Sequence, residues 1–394
     1  MLKNNNKKQC GKNMKILYLV NIPAPYRVDF FNELGKQCEL TVLFESRTEA
    51  HRKGTWCKYD FHNFKAVFLK QIKIGKKIIC LDVLKYISTD YDCIVVGGYN
   101  TLTSIIAMSY MRWHSIPFGI NVDGGAVKQN ELRIRRIIKK KLLSQASFWL
   151  SPSTIADQYL LFYGAKKDSI YRYHFTSLLD SDLEIAKKLT DKKTSIKQEL
   201  ELEEAKIVLS VGRFNLQGGY GKGYDILMQI AEKYRSTDIG FYIVGDEPTE
   251  EFMNWKNEKQ LHHVHFIGYQ DKNSIRKYYA SSDLFVLFTR GDVWGLVINE
   301  AMSYGLPIIT TDRCVAGLEL VEDGVNGYIV PINDVNASAE RMDDILSRSD
   351  LGMLKKNALE IISSYTIEVM AEQHIDIFKE LIWKELDSEE AQPR

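Results

Sequence analysis

The sequence of 394 residues predicts an α/β protein built from two doubly wound parallel sheets. Short apolar stretches alternate with helix-like stretches in both halves of the chain, which is the pattern of a parallel sheet covered by helices on both faces. A charged stretch with few apolar residues, 172–204, separates the halves. At this length each half can bury a core of its own.

The first half opens with the apolar strand MKILYLVNI at 14–22, followed by the helical VDFFNELGKQ and the strand CELTVLFES. Three further apolar stretches end in turns: YDCIVVGGYN, IPFGINVDGG and SFWLSPS. A strand, a turn, a helix and a second strand are the opening of a βαβ unit. We therefore assign 14–171 to a first Rossmann-like domain and interpret the polar, basic stretch 1–13 as a disordered tail.

The charged stretch 172–204 is interpreted as a linker with a solvated helix, because it offers few residues to a core. The alternation then restarts with AKIVLSVGRF and YDILMQIAEKYR and continues through IGFYIVGDE, VHFIGYQ, DLFVLFT and LPIITTD. This pattern predicts a second Rossmann-like domain over 205–365. The helical TIEVMAEQHIDIFKELIWKEL lies in a closing segment, 366–394, for which the first domain is a candidate packing surface.

The composition of the chain argues against several classes of function. Lysine and arginine number 52 against 51 acidic residues, so the net charge of +1 creates no overall field that attracts nucleic acid. The six cysteines form no C-x-x-C pair, which indicates neither a disulfide framework nor a zinc site and fits a reducing cytosol. No apolar run reaches the length of a membrane span, and the first residues lack the apolar core of a signal peptide. We therefore expect a cytoplasmic protein.

A glycine-rich loop between a strand and a helix is the first candidate site. GRFNLQGGYGKGYDIL, at 212–227, contains five glycines together with Arg213 and Lys222. Glycines let a ligand approach the backbone, and a helix N-terminus offers free N–H groups and the positive end of a dipole. Two cations at such a place suit a diphosphate. The spacing is neither that of a Walker A loop nor G-x-G-x-x-G, so a flexible loop with incidental charges is the alternative.

The second candidate site is GDVWGLVINEAMSYGLP at 291–307. Glu300 falls among apolar positions of its predicted helix, where a carboxylate is costly to bury without a partner; a surface glutamate is the alternative. Together with VGRF, GKG and FIGYQ, this stretch resembles the nucleotide-binding domain of retaining glycosyltransferases of family 4, which have the GT-B architecture. The shared signature is two acids eight positions apart, here Asp292 and Glu300, around a Gly-Leu pair, then Glu-Ala-Met, Gly and Pro. The resemblance covers 205–335 closely and the first domain loosely.

The resemblance implies a role for each matching residue. Arg213 and Lys222 would hold the diphosphate of a nucleotide sugar and Asp292 would lie beside the transferred sugar, so these three are the implied catalytic residues. Glu300 would accept hydrogen bonds from the ribose. The remaining implied donor-binding residues lie in the loops and at a helix start: Gly212, Gly268, Tyr269, Gly295, Leu296 and Val297. Asp292 stands where the family usually has glutamate, and a helix cap is its alternative role.

The implied fold is GT-B, with two Rossmann-like domains facing a central cleft. The implied reaction is retaining transfer of a sugar, of the hexosyl type, from a UDP- or GDP-linked donor to a saccharide or lipid-linked acceptor, in cell-surface polysaccharide or glycolipid assembly. No cofactor and no metal ion are expected: the D-x-D at 180–182 lies in the charged stretch, and the HHVH at 262–265 lacks ligand spacing. The alternatives are a catalytically weak nucleotide-sugar-binding partner subunit and a GT-B epimerase or phosphorylase.

Acceptor binding is expected in the first domain. Pro25, Tyr26 and Arg27 follow the first strand, and Asp123 and Gly124 follow another strand. A rigid turn that carries an aromatic ring and a cation is suited to bind a sugar or a phosphate. Simple turn chemistry is the alternative role for these residues.

The segment 128–146 is basic and partly apolar. It carries seven Lys or Arg and one Glu between 128 and 141, together with an incomplete apolar stripe. Such a helix is suited to lie on an anionic membrane surface, which would make the protein peripheral to the inner face of the cell membrane. A solvated helix with its apolar side in the core is the alternative.

Overall fold

The chain divides into two compact units. The first consists of the residues up to Phe175 together with those from Ile367 onward, and the second is Thr176–Thr366. The predicted tail 1–13 lies outside the described residues. The computed structural model describes most of the chain, namely 14–47, 60–75, 77–127, 131–214 and 217–390.

The first unit contains a seven-stranded parallel sheet and a separate antiparallel hairpin. In chain order the strands are β1 (Lys15–Val20), β2 (Glu39–Phe44), β3 (Lys65–Phe68), β4 (Ile72–Ile74), β5 (Lys77–Ile79), β6 (Cys93–Val96), β7 (Gly119–Asn121), β8 (Phe148–Ser151) and β9 (Ile170–Arg172). The strand order of the sheet is β3-β2-β1-β6-β7-β8-β9, and β4 and β5 form the hairpin. The helices between them are α1 (Pro25–Leu34), α2 (Leu102–Trp113), α3 (Arg133–Leu143) and α4 (Thr154–Phe162).

Strand β1 shows why its sequence is a continuous apolar run. Leu17 and Leu19 belong to a core cluster on one face of the sheet that also contains Met108 of α2. Tyr18 points to the other face, where its ring packs 5.1 Å from the ring of Phe31 on α1. Both faces of this central strand are therefore covered, as in a doubly wound sheet.

The second unit contains a six-stranded parallel sheet. Its strands are β10 (Lys206–Val211), β11 (Ile239–Val244), β12 (Val264–Ile267), β13 (Leu284–Leu287), β14 (Ile308–Thr311) and β15 (Gly327–Val330). They are arranged in the order β12-β11-β10-β13-β14-β15. Its helices are α5 (Asp180–Thr190), α6 (Lys193–Glu199), α7 (Tyr224–Ala231), α8 (Glu250–Glu258), α9 (Lys272–Ser281), α10 (Leu296–Ser303), α11 (Val315–Leu320), α12 (Val335–Ser347) and α13 (Gly352–Ile362). The predicted fold class, two Rossmann-like parallel-sheet domains, is confirmed.

The structure corrects the interpretation of 172–204 as a linker with a solvated helix. Helices α5 and α6 belong to the second unit and pack against α9. Asp182 is buried and pairs with Lys272 at 2.9 Å and also with Arg276, while Lys193 pairs with Asp283 at 2.5 Å. Several charged side chains of this segment meet partners of opposite charge on the rest of the unit, and a local charge pattern does not reveal such partners.

The closing helix α14 (Ile367–Glu390) belongs to the first unit and packs on α1. His374 is fully buried there, with its ring 4.7 Å from that of Phe30 and 4.6 Å from that of Tyr173. None of the helices in the described ranges is both long enough and apolar enough to cross a membrane.

Candidate functional site

The candidate donor site begins where β10 ends. Strand order in the second sheet reverses between β10 and β13, and ligands of such sheets bind outside the carboxyl ends of the strands at this point. Gly212 follows β10 and Gly245 follows β11. A Cβ on Gly245 would lie 1.8 Å from the carbonyl oxygen of Gly212, so the two strand ends approach as closely as glycine allows.

The glycine-rich loop then turns back toward β13. Gly218, Gly219 and Gly223 have φ angles of 62°, 97° and 73°, in the left-handed region that favours glycine. A Cβ on Gly223 would lie 2.0 Å from the carbonyl oxygen of Phe288. The loop therefore packs directly on the end of β13, and this packing positions Lys222, the residue before Gly223. Residues 215 and 216 of this loop lie outside the described ranges.

Arg290 fixes this arrangement, and the sequence analysis did not identify it. Its guanidinium donates two hydrogen bonds of 2.7 Å to the carboxylate of Asp225, in the first turn of α7, and a further bond to the carbonyl of Tyr220. Its backbone N–H donates to the carbonyl of Gly221 at 3.0 Å. The loop after β13 thus holds the turn that carries Lys222 at several points. The only sequence signal was a cation shortly after an apolar strand, which is too common to be specific.

Lys222 and Asp292 are in direct contact. The Lys222 ammonium donates to the Asp292 carboxylate at 2.5 Å, and the two side chains are 13% and 20% exposed. The backbone of Asp292 is held by β-bridge pairing with Cys314, and its N–H donates to the carbonyl of Arg313 at 3.0 Å. Asp292 does not cap α10, because Gly295 is the N-cap residue of that helix. The structure therefore brings together two of the three predicted catalytic residues.

The N-terminus of α10 lies next along the chain. Gly295 has a φ of 107°, and a Cβ on it would lie 2.8 Å from the sulfur of Cys314. Leu296 and Val297 occupy the first two helical positions, where backbone N–H groups have no carbonyl of their own helix to bond. The buried Trp294 anchors this start through an indole hydrogen bond of 2.9 Å to Asn299. The arrangement presents amide dipoles beside Asp292, whose carboxyl carbon would lie 3.8 Å from a Cβ on Gly295, and Asp292 in turn contacts Lys222.

Glu300 lies on the first turns of α10 and is partly buried. It accepts hydrogen bonds from the Tyr279 hydroxyl at 2.9 Å and from the Ser177 hydroxyl at 3.4 Å. Burial raises the pKa of Glu300, and the bonds from Tyr279 and Ser177 and the charge of Lys272 oppose that rise. The sequence did not predict these two hydroxyls as partners of the Glu300 carboxylate. Its expected contact with a ribose stays a prediction.

The remaining donor-site candidates, Arg213, Gly268 and Tyr269, lie after the ends of two strands of the second sheet. Arg213 directly follows Gly212 and is exposed, and its side chain makes no hydrogen bond or ion pair with any residue that the structure describes. Gly268 and Tyr269 follow the edge strand β12, and Tyr269 is exposed. A Cβ on Gly268 would lie 2.9 Å from the carboxylate of Glu247. These three residues lie at the carboxyl ends of strands, as predicted.

The predicted acceptor residues of the first unit also come together. Asp123 accepts hydrogen bonds from the Arg27 guanidinium and, at 3.3 Å, from the Tyr26 hydroxyl. Pro25 begins α1, and Gly124 has a φ of 134°. Burial lowers the pKa of Arg27, but the charge of Asp123, with a smaller contribution from Tyr26, outweighs this effect and leaves the pKa above its ordinary value. A contact between residues 96 positions apart in sequence exceeds what turn chemistry requires.

The other motifs with ligand-like residues are engaged within the protein. Asp182 of the D-x-D pairs with Lys272 and Arg276. His265 of the HHVH run contacts Glu204 at 2.6 Å, and His263 contacts the carbonyl of Ala231 at 3.0 Å. Across the described ranges, no group of three or more His, Cys, Asp and Glu side chains is arranged to hold a metal ion.

Comparison with known structures defines the class of fold. The chain superposes on a glycosyltransferase from Rickettsia africae with a TM-score of 0.70 at 15% identity, covering 94% of this chain and 99% of that one. It superposes on Anabaena HepE in complex with UDP with a TM-score of 0.74 at 17% identity, covering 93% and 100%. The fold is therefore GT-B.

Comparison of sequences finds a family match in the second unit. Residues 191–360 match the family model described as glycosyl transferases group 1. A Klebsiella pneumoniae protein, described as an uncharacterized 41.2 kDa protein in the cps region, is 35% identical over 147 residues, which are 37% of this chain and 38% of that protein. The chain spans about half or less of the length of the curated relatives it matches first.

Proposed function

We propose that the protein is a retaining glycosyltransferase that moves a sugar, of the hexosyl type, from a nucleotide-diphosphate sugar to a saccharide or lipid-linked acceptor. The observation that carries the proposal is the Lys222–Asp292 pair beside the N-terminus of α10, at the point where strand order reverses. The family match over the same residues and the likeness to a UDP complex support it. Similarity to a protein of the cps region supports a role in cell-surface polysaccharide or glycolipid assembly.

The proposed chemistry follows from the charges in this site. Negative charge develops on the departing diphosphate, and the Lys222 ammonium, the Arg213 guanidinium and the amides of Leu296 and Val297 would stabilise it. Positive charge develops on the sugar in an oxocarbenium-like transition state, and the Asp292 carboxylate would stabilise that charge. The fixed cation and the amides neutralise the leaving group, which is the role a metal ion plays in other enzymes, so we propose a metal-independent reaction.

We propose that the configuration at the anomeric carbon is retained, because the leaving phosphate can accept the proton of the acceptor hydroxyl on the face of the sugar from which the phosphate departs. The new glycosidic bond then forms on that same face as the old bond breaks. The proton moves from the acceptor oxygen to the phosphate oxygen, and no side-chain nucleophile is required.

We propose that the first unit recognises the acceptor through Tyr26, Arg27 and Asp123. The aromatic ring offers a stacking surface, and the partly buried ion pair offers both donors and acceptors to sugar hydroxyls. We place the protein in the cytoplasm. Cys38, Cys80, Cys93 and Cys314 are buried thiols, as suits a reducing compartment.

The test is a screen of UDP- and GDP-linked sugars by thermal shift, followed by NMR of the sugar released on slow donor hydrolysis. A donor raises the melting temperature because it binds the native state alone. An initially released sugar with the anomeric configuration of the donor supports a retaining transferase. Inversion would overturn the retaining mechanism, and stabilisation without any turnover, even with added acceptors, would support a nucleotide-sugar-binding subunit instead.

A further inference from the structure

The outer face of α3 exposes apolar side chains that the fold leaves uncovered. Leu132, Ile134, Ile137 and Ile138 are 61%, 61%, 62% and 50% exposed. At about 100° per residue, Ile134, Ile137 and Ile138 share one face of the helix, and Leu143, its one fully buried residue, lies on the opposite face. The predicted alternative, a helix with its apolar side in the core, is therefore wrong for these isoleucines.

The inner side of α3 is fixed to the first unit by polar and aromatic contacts. Lys139 pairs with Glu131 at 2.5 Å and lies 5.1 Å above the ring of Tyr163, and the Tyr163 hydroxyl donates to Glu131. The Arg136 guanidinium lies 4.3 Å above the ring of Phe162 on α4. These contacts hold the isoleucines away from the unit, so their exposure is a property of the packed helix.

Cations flank the apolar strip on both sides. Arg133 and Lys140 lie on one flank and Arg135 on the other, and Lys141 lies within the strip itself. The helix Arg133–Leu143 has no acidic residue to balance them. We define these exposed residues of 132–141 as the α3 surface.

We propose that the α3 surface docks on an anionic lipid bilayer, with the isoleucines in the headgroup–acyl boundary and the cations among the lipid phosphates. A bilayer satisfies the apolar strip and both cationic flanks at once. A second copy of this chain would place like charges opposite each other. A nucleic acid would leave the isoleucines without an apolar partner. This inference does not rest on the proposed function.

The experiment is flotation of the full chain with vesicles of phosphatidylcholine alone or mixed with phosphatidylglycerol. We expect binding to the mixed vesicles only. We also expect the binding to weaken as salt rises from about 0.1 M to about 1 M, where the screening length falls from ~10 Å to ~3 Å. Replacing two isoleucines, I134Q/I138Q, or two lysines, K140Q/K141Q, should each lower vesicle binding by about tenfold or more.

Matched controls separate this surface from general charge and hydrophobicity. Lys187 and Lys188 form an equivalent exposed pair in the last turn of α5, so K187Q/K188Q should leave vesicle binding unchanged. Met353 is similarly exposed on α13, so M353Q should also leave it unchanged. Because every changed side chain is exposed, circular dichroism and donor hydrolysis in solution should match those of the wild type.

Three results would overturn the proposal. The first is absence of binding to anionic vesicles, and the second is an equal loss of binding in the controls and in the α3 variants. The third is an oligomer that light scattering detects in the wild type and that the α3 variants abolish, which would identify the surface as a protein interface.

Discussion

Replacing Asp292 by asparagine should separate donor binding from catalysis. In the free protein the Lys222 ammonium is paired with Asp292 at 2.5 Å, so the diphosphate of a donor must compete with this carboxylate for the same cation. Fully exposed pairs contribute ~0.2–1 kcal/mol, whereas breaking a buried pair costs ~3–5 kcal/mol. With the two side chains 13% and 20% exposed, we place the interaction at about 2 kcal/mol.

The substitution should have opposite effects on nucleotide binding and on turnover. Asp292→Asn should tighten binding of UDP or GDP, whichever the wild type binds, by up to about 30-fold, because ~1.4 kcal/mol corresponds to a factor of ten. Turnover of the nucleotide sugar should fall by about 100-fold, because the carboxylate that would stabilise the sugar cation is lost. Using the nucleoside diphosphate for the binding measurement keeps sugar contacts out of the comparison.

Titration calorimetry with the nucleoside diphosphate and steady-state turnover of the sugar donor measure the two quantities. Asp292→Glu retains the charge and should bind the nucleoside diphosphate within a few-fold of the wild type. Weaker nucleoside diphosphate binding in Asp292→Asn, or turnover equal to that of the wild type, would refute the competition between carboxylate and diphosphate.

Three further predictions concern the scaffold. Arg290→Met should lower the free energy of unfolding by about 3 kcal/mol and raise the KM for the donor, because it leaves Asp225 without its bidentate partner. Urea titration and donor kinetics measure the two effects, and an unchanged KM would show that the Arg290–Asp225 pair does not position Lys222. Gly223→Ala should destabilise the protein by more than ~2 kcal/mol, because φ is 73° and the added carbon would lie 2.0 Å from a backbone oxygen. A Cβ on Gly291 meets no atom within 4 Å, so Gly291→Ala should change the stability in urea little, and equal effects of the two substitutions would contradict this explanation. Burial lowers the pKa of His374 to about 4, so folding favours the neutral imidazole and contributes stability that is present above the ordinary pKa of about 6.5. This stability, up to ~3 kcal/mol, is lost as the pH falls toward 4. The free energy of unfolding of His374→Phe should be less sensitive to pH in this window, and parallel pH profiles of the two proteins would rule this out.

The local signals of the second unit were strong enough to predict its fold, and they also indicated a candidate site at the carboxyl ends of its strands. Apolar runs of strand length predicted the sheet, and the glycines of 212–227 predicted the turn, because each of these elements is specified by residues that are neighbours in the sequence. Glu300 was singled out by the apolar positions around it in the predicted helix, and Asp292 was assigned through the resemblance to the family signature. The position of Asp292 after a strand end follows from the fold.

The protein partners of these residues could not be predicted. Tyr279 is 21 positions from Glu300, and Asp225 is 65 positions from Arg290, so no local periodicity connects them. The same reason explains the error over 172–204, where Asp182 finds its cations 90 and 94 positions later. Ion pairs of this kind depend on tertiary packing, which a single sequence pattern does not encode.

The most direct test of the account is donor affinity in Lys222→Met, measured by calorimetry beside Lys187→Met, which removes an exposed lysine from α5 in the same unit. The account predicts that the first substitution weakens nucleotide-sugar binding by at least about tenfold and that the second leaves it unchanged. Equal affinity in both variants would mean that the ammonium at the end of the glycine-rich loop does not hold the diphosphate.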